Sequence, residues 1–173
     1  LLSLWGFGGQ SEFFNVPSRK KIKRALNNVG MAYIRLNKPY IKKDKASIQL
    51  DLSSLAKGYA VDQVFDILKS VKATRFMVEI GGEVRVYTSS PKKAWKIGIA
   101  NPQYGFSNNN LFAHVSMHQG ALASSGDYQN YFKKGLKTYS HIINPKTGYP
   151  IDNRVASVTV YAPTCMEADG LAT

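Results

Sequence analysis

A chain of 173 residues with 44% hydrophobic content is long enough to fold as one globular domain around its own core. No apolar run approaches the roughly 18 residues of a membrane-spanning helix. The single cysteine, Cys165, excludes an intrachain disulfide and a four-cysteine zinc site. A formal net charge of +12 and a pI of about 9.8 favour anionic partners such as nucleic acid, anionic lipid or a phosphorylated small molecule, though a basic soluble surface explains the charge equally well.

The opening LLSLWGFGGQ has no Met, basic n-region or cleavage site, so it is not an intact signal peptide. Leu1 leads straight into an apolar, aromatic, Gly-rich run and Thr173 falls inside a predicted helix, so the expectation is a fragment of a longer protein. Pro17 and Ser18 open a basic helix, RKKIKRALNNVG, with Ile22, Leu26 and Val29 on one face and Gly30 placed to end it. Ala32 to Leu36 and Ile48 to Leu52 read as strands, and NKPYIKKDKAS between them reads as polar turn. LAKGYAVDQVFDILKSV carries Val61, Val64, Phe65 and Leu68 at amphipathic helical spacing.

Arg75 to Ile80 and Glu83 to Thr88 are predicted strands on either side of Gly81 and Gly82. WKIGI alternates, with Trp95, Ile97 and Ile99 on one face, and NPQYGFSNNN is a loop. Leu111 to Met117 and Ala121 to Ser124 are further strands, with Gly120 turning between them. ASVTVYA is the last strand, ended by Pro163, and Thr164 with Glu167 has the spacing of a capping box that opens a final helix. These elements describe an α/β (α+β) domain with a mostly antiparallel sheet and flanking helices.

Several stretches could carry chemistry. Asp169 and Thr173 are four apart on the last helix and share a face, and a carboxylate with a hydroxyl suits Mg²⁺ or Ca²⁺ rather than zinc. The alternative for Asp169 is a partner of the helix dipole. In DLSSLAKGYAVD, Ser53 and Ser54 are natural caps at a helix start whose free N–H groups can also hold phosphate, without P-loop spacing. The glycines of EIGGEV mark a bulge or tight turn, or a close approach of backbone to ligand. Ser125 lacks a GxSxG elbow, and Asp127 either orients a partner or, the favoured reading, caps a following helix. His114 and His118 lie on a strand, where residues four apart are separated by roughly 13 Å, and are poor joint metal ligands. His141, in SHIINPKTGYP, is either an ordinary residue at a strand end or a base. Cys165 reads as a small buried hydrophobe.

Taken in order, LWGFG, DLSSLAKGYAVD, EIGGEV, ALASSGDYQNYF, SHIINPKTGYP and SVTVYAPTCMEADGLAT resemble the ApbE family of FAD:protein FMN transferases over essentially the whole chain. The resemblance implies a T-fold-like α/β fold, binding of FAD and Mg²⁺, and cleavage of the FAD pyrophosphate. FMN is then attached by a phosphoester to a Thr or Ser of an acceptor protein, with release of AMP. It further implies an exported, often lipid-anchored bacterial protein on the periplasmic face of the inner membrane, acting on redox-membrane complexes. Carried over by motif, the metal ligands are the Ala56 carbonyl, Asp169, the Ala172 carbonyl and Thr173. The flavin contacts are Ser53, Tyr59 and Ile143, and the base is His141. Lys57 adds positive charge near the phosphates or is a surface cation.

Two departures from the family pattern stand out. Asn144 replaces a common Asp and removes a negative charge near His141, and Ser53 and Ser54 stand where Gly is frequent. The family's upstream segment, which normally supplies flavin contacts, and its segment after Thr173 lie outside this stretch, so the expectation is that the fragment alone holds the metal and His141 yet binds FAD poorly. Other readings are an FAD pyrophosphatase or flavin binder that transfers nothing, and a nucleic-acid-binding module. The scattered basic residues and lack of a recognition motif argue against the last.

Overall fold

The structure, a computed structural model, describes residues 1–7, 14–102, 110–126, 131–152 and 155–173. In chain order the elements are α1 (Leu2–Trp5), α2 (Arg19–Leu26), a 3₁₀ turn (Met31–Tyr33), β1 (Ile34–Asn37), β2 (Tyr40–Lys43), α3 (Ser53–Ser70), β3 (Arg75–Ile80), β4 (Glu83–Thr88), β5 (Trp95–Ala100), β6 (Leu111–Met117), β7 (Gln119–Gly126), β8 (Tyr131–Lys134), β9 (Lys137–Ser140), β10 (Ser157–Ala162) and α4 (Cys165–Ala172). Two compact units share them, one formed by Leu1–Leu50 with Gln129–Arg154, the other by Asp51–Tyr128 with Val155–Thr173. Charge divides with them. The first unit holds 15 Lys and Arg against three Asp and Glu, and the second holds eight against eight, so the whole net charge of +12 belongs to the first.

The second unit is built in three layers. Its central sheet has strand order β10-β7-β4-β3, antiparallel throughout. On one face α3 and α4 bury Val61, Phe65, Cys165 and Ala168 against Phe76, Val78, Ala121, Ala123 and Ala162. On the other, the β5–β6 hairpin covers Val84, Val86 and Leu122 with Met117, Trp95, Ile97 and Val115. Because side chains alternate along a strand, β4 sends Val84 and Val86 to the hairpin and Glu83, Arg85 and Tyr87 to the helices. Gly81 and Gly82, at φ +60° and +98°, form a two-residue hairpin loop between β3 and β4, a conformation that costs glycine no Cβ clash.

The first unit centres on Trp5, Ile22 and Phe132, with Leu4, Phe7, Val16, Leu26, Tyr139 and Ile143 against them. The indole Nε1 of Trp5 donates to the Gly148 carbonyl at 2.9 Å. Gly148 has φ +75°, and a Cβ there would lie 2.6 Å from Ile22. α2 begins at Ser18, whose hydroxyl accepts from the Lys21 amide, and buries Ile22 as its spacing predicts.

Several expectations are corrected. Ile48 to Leu52 forms no strand: the Ile48 amide turns back to the Lys45 carbonyl, Lys43 Nζ takes the Ile48 carbonyl at 2.7 Å, and Leu50 and Leu52 are exposed. The polar NKPYIKK stretch instead supplies β2, which pairs with β1 around Lys38 and Pro39, and β1 starts only after the 3₁₀ turn. Val64 is exposed while Val61 and Phe65 are buried. Gly120 is not the turn; it lies inside β7 at φ +111°, with Tyr161 packed where a Cβ would stand. A β8–β9 hairpin turning at Gly135 replaces the helix expected after Asp127, and Asp127 itself lies outside the described residues.

Candidate active site

Three segments of the second unit converge where α3 crosses α4. α4 starts at Thr164, whose hydroxyl accepts from the Glu167 amide at 3.3 Å, the bond its capping spacing predicts. One turn further on, Asp169 is only 4% exposed, and its Oδ2 accepts from the Gly58 amide of α3 at 3.0 Å. Gly58 permits this approach: a Cβ there would lie 2.4 Å from the Cys165 carbonyl oxygen. At the end of α4, the Thr173 hydroxyl donates to the Asp169 carbonyl at 3.3 Å and lies 3.4 Å from Ser125 Oγ on β7.

The start of α3 differs in detail from its sequence reading. Ser53 and Ser54 are already helical and Leu52 occupies the cap position. Asp51 does the capping: its Oδ1 accepts from both the amide and the hydroxyl of Ser53. Those bonds, the hydroxyl first, hold the Asp51 carboxyl below the usual carboxylate range. Ser53, Ala56 and Tyr59 follow at three-residue intervals on α3, and all three are exposed.

Lys57 is not a loose cation. Its Nζ lies 2.7 Å from Glu83 Oε2, and its stem passes the Gly81 turn. Glu83 is buried, and burial pushes its carboxyl up. The hydrogen bond and charge of Lys57 pull it down, and the charge of Asp169 raises it.

Asp169, Thr173 and the carbonyl-rich end of α4 are hard oxygen donors, and the last carbonyls of a helix have no intrahelical N–H. A buried carboxylate with a backbone donor on one oxygen, a hydroxyl one turn away and the exposed turn at Ala56 fit a small divalent cation held partly by waters. Among the described residues no three His, Cys, Asp or Glu side chains cluster.

In the first unit, His141 follows β9 at half-burial, with its ring 6.2 Å from that of Phe7 and inclined at 66°. Ser140, buried beside it, accepts from the Ile142 amide at 3.1 Å. Ile143 packs on the Trp5 cluster and bridges Pro150. Asn144 uses its side-chain oxygen on the turn that follows, accepting from Lys146 at 2.9 Å and Thr147 at 3.4 Å, and its carbonyl accepts from Gly148 at 2.8 Å. An Asp could accept the same bonds, so the substitution removes charge but keeps the turn. His118 is fixed elsewhere, with Nε2 2.9 Å from the Pro91 carbonyl, and His114 lies exposed on β6.

Sequence reading missed Asp62, Glu83 and Arg85. Charge alternating with valine along β4 reads as a half-exposed strand; only its burial on both faces shows that Glu83 and Arg85 require partners, which α3 supplies as Lys57 and Asp62.

The family model for the ApbE family matches residues 1–173. The chain is 40% identical over 174 residues to an FAD:protein FMN transferase of Vibrio cholerae, covering 100% of this chain and 52% of the relative. It is 39% identical over 178 residues to the FAD:protein FMN transferase of Haemophilus influenzae, covering 100% and 51%. Among solved structures, the ApbE protein of Thermotoga maritima superposes with a TM-score of 0.86 at 35% identity, over 99% of this chain and 55% of that one. The apo flavinyl transferase ApbE of Pseudomonas stutzeri does so with 0.84 at 36%, over 99% and 52%. The chain therefore spans about half the length of the curated relatives it matches. With every ordered motif inside the matched stretch, and a mixed α/β fold shared with those structures, this chain belongs to the ApbE family.

Proposed function

We propose that the protein containing this chain is a Mg²⁺-dependent FAD:protein FMN transferase. The observation that carries the reading is the meeting of Asp169 with Gly58, which puts the end of α4 beside the Ala56–Gly58 turn of α3. The family relationship supplies the reaction class.

Asp169, Thr173 and the carbonyls of Ala56 and Ala172 would hold the cation. When bound, Mg²⁺ supplies charge neutralisation at a pyrophosphate. Lys57, anchored by Glu83, adds a fixed positive charge next to that site. Ser53 and Tyr59, on the exposed side of α3, are assigned as flavin contacts by their motif, and Ile143 is assigned by its own motif. An imidazole nitrogen of His141 takes the proton from the acceptor Thr or Ser hydroxyl. The hydroxyl oxygen then bonds to the FMN phosphorus, the P–O–P linkage breaks, and AMP leaves. The acceptor is a protein of a redox-membrane complex, and the enzyme is exported, lipid-anchored and periplasmic.

AMP release from FAD by the full-length protein, with Mg²⁺ and then with EDTA, tests this. AMP formed only with metal, together with an FMN mass adduct on a Thr-containing acceptor, is the expected result. AMP without adduct would reduce the activity to pyrophosphate hydrolysis. No AMP with acceptor present would withdraw the catalytic role of His141.

A further inference from the structure

Asp62 lies one turn beyond Gly58 on the face of α3 that meets α4. It is 8% exposed, and both of its oxygens are engaged. Oδ1 accepts from the Cys165 amide and from Arg85 Nη1, each at 2.8 Å, and Oδ2 accepts from the Met166 amide at 2.9 Å. Arg85 comes from β4 and lies 3.9 Å over the Phe65 ring, so the carboxylate is held from the sheet side as well.

Two carboxylates therefore cross the same contact in opposite directions. Asp62 of α3 takes amides of α4, and Asp169 of α4 takes an amide of α3, with a four-residue spacing on each helix. α4 already has a cap of its own in Thr164. A second, charged cap from another helix ties the two elements together and adds the desolvation cost of a largely buried ion pair. Such an arrangement is expected where the placement of a helix matters more than its stability alone.

We propose that Asp62, held by Arg85, is a positioning residue for the cation site: it fixes the axial and rotational setting of α4 and so places Asp169 and Thr173. The inference rests on the reading of Asp169 and Thr173 as ligands.

Mn²⁺ binding by the full-length protein, followed by the EPR signal of the free ion, tests both levels. Asp62→Asn is expected to weaken Mn²⁺ binding about 10- to 100-fold, the range for residues that orient metal ligands. At saturating Mg²⁺ the KM for FAD should be unchanged, and excess Mg²⁺ should restore kcat. Arg85→Met, which keeps the stem over Phe65, should weaken binding in the same direction and serves if Asp62→Asn does not fold. Unchanged Mn²⁺ affinity in folded variants, with only a lower Tm, overturns the proposal and leaves the ligand reading intact. If Asp169→Ala retains Mn²⁺ binding, or the wild-type protein has none, the ligand reading fails and the positioning role with it.

Discussion

The amide of Gly58 and the carboxylate of Asp169 meet at 3.0 Å across two helices that are 111 residues apart in sequence, at a point where the backbones leave no room for a methyl group. At an ordinary helix position Gly→Ala stabilises by roughly 1 kcal/mol. Here the sign should reverse. Gly58→Ala pushes against the Cys165 carbonyl, which cannot swing away as a side chain can. A loss of about 2 kcal/mol or more is expected, read as a lower denaturation midpoint, and a stabilised variant would refute the close contact.

Glu83 gives a pH dependence with a definite sign. Its carboxyl is raised in the folded state, chiefly by burial, so the native protein holds this proton more tightly than the unfolded chain does. This group's contribution to stability is therefore fully present below its unfolded value near 4.5, and is lost as pH rises through the raised folded value. Glu83→Gln should flatten that part of a stability profile measured from pH 4 upward. Because it also releases Lys57, on the proposed transferase reading it should raise the KM of the full-length protein for FAD.

Cys165 should be inert. Its thiol is fully buried and pushed up to about 12, first by burial and then by the negative charges of Asp62, Glu83 and Asp169. Modification by a disulfide reagent at pH 8 should be negligible in the folded protein and complete in denaturant. Since the folded value exceeds the unfolded one near 9.0, this thiol costs stability as pH rises above 9, and Cys165→Ala should remove that loss.

Trp5→Phe isolates one bond in the first unit. The ring remains, but the Gly148 carbonyl loses its indole donor in a buried setting. A cost of about 1–3 kcal/mol is expected, measured by chemical denaturation. A neutral result would mean that the bond is replaced by water.

Much of the second unit was legible in the sequence, because its strands alternate and its helices carry apolar residues at helical spacing. The Gly81–Gly82 pair and the Thr164 cap marked boundaries there, and the Asp169–Thr173 pair could be placed on one face. What the sequence hid was non-local. Tyr40 to Lys43 is short and exposed along its length, so its pairing with β1 is what identifies it as a strand. Ile48 to Leu52 has strand-like residues but pairs with none of the described strands. Asp51, not Ser53, caps α3 because a carboxylate two residues upstream can reach both the amide and the hydroxyl of Ser53. Gly58 read as part of a helix start; its use as a crossing point depends on α4, whose residues lie more than a hundred positions away.

The alternation of β4 also bears on how this sequence can change. Even-numbered positions 84 and 86 face one layer, and odd-numbered positions 83, 85 and 87 face the other. Deleting or inserting a single residue within the strand would exchange parity. Valines would then meet Asp62 and Lys57, while an arginine and a glutamate entered the apolar layer under the β5–β6 hairpin. Length changes in this strand are thus confined to pairs, whereas 83 and 85 can vary only together with the helix residues that answer their charge.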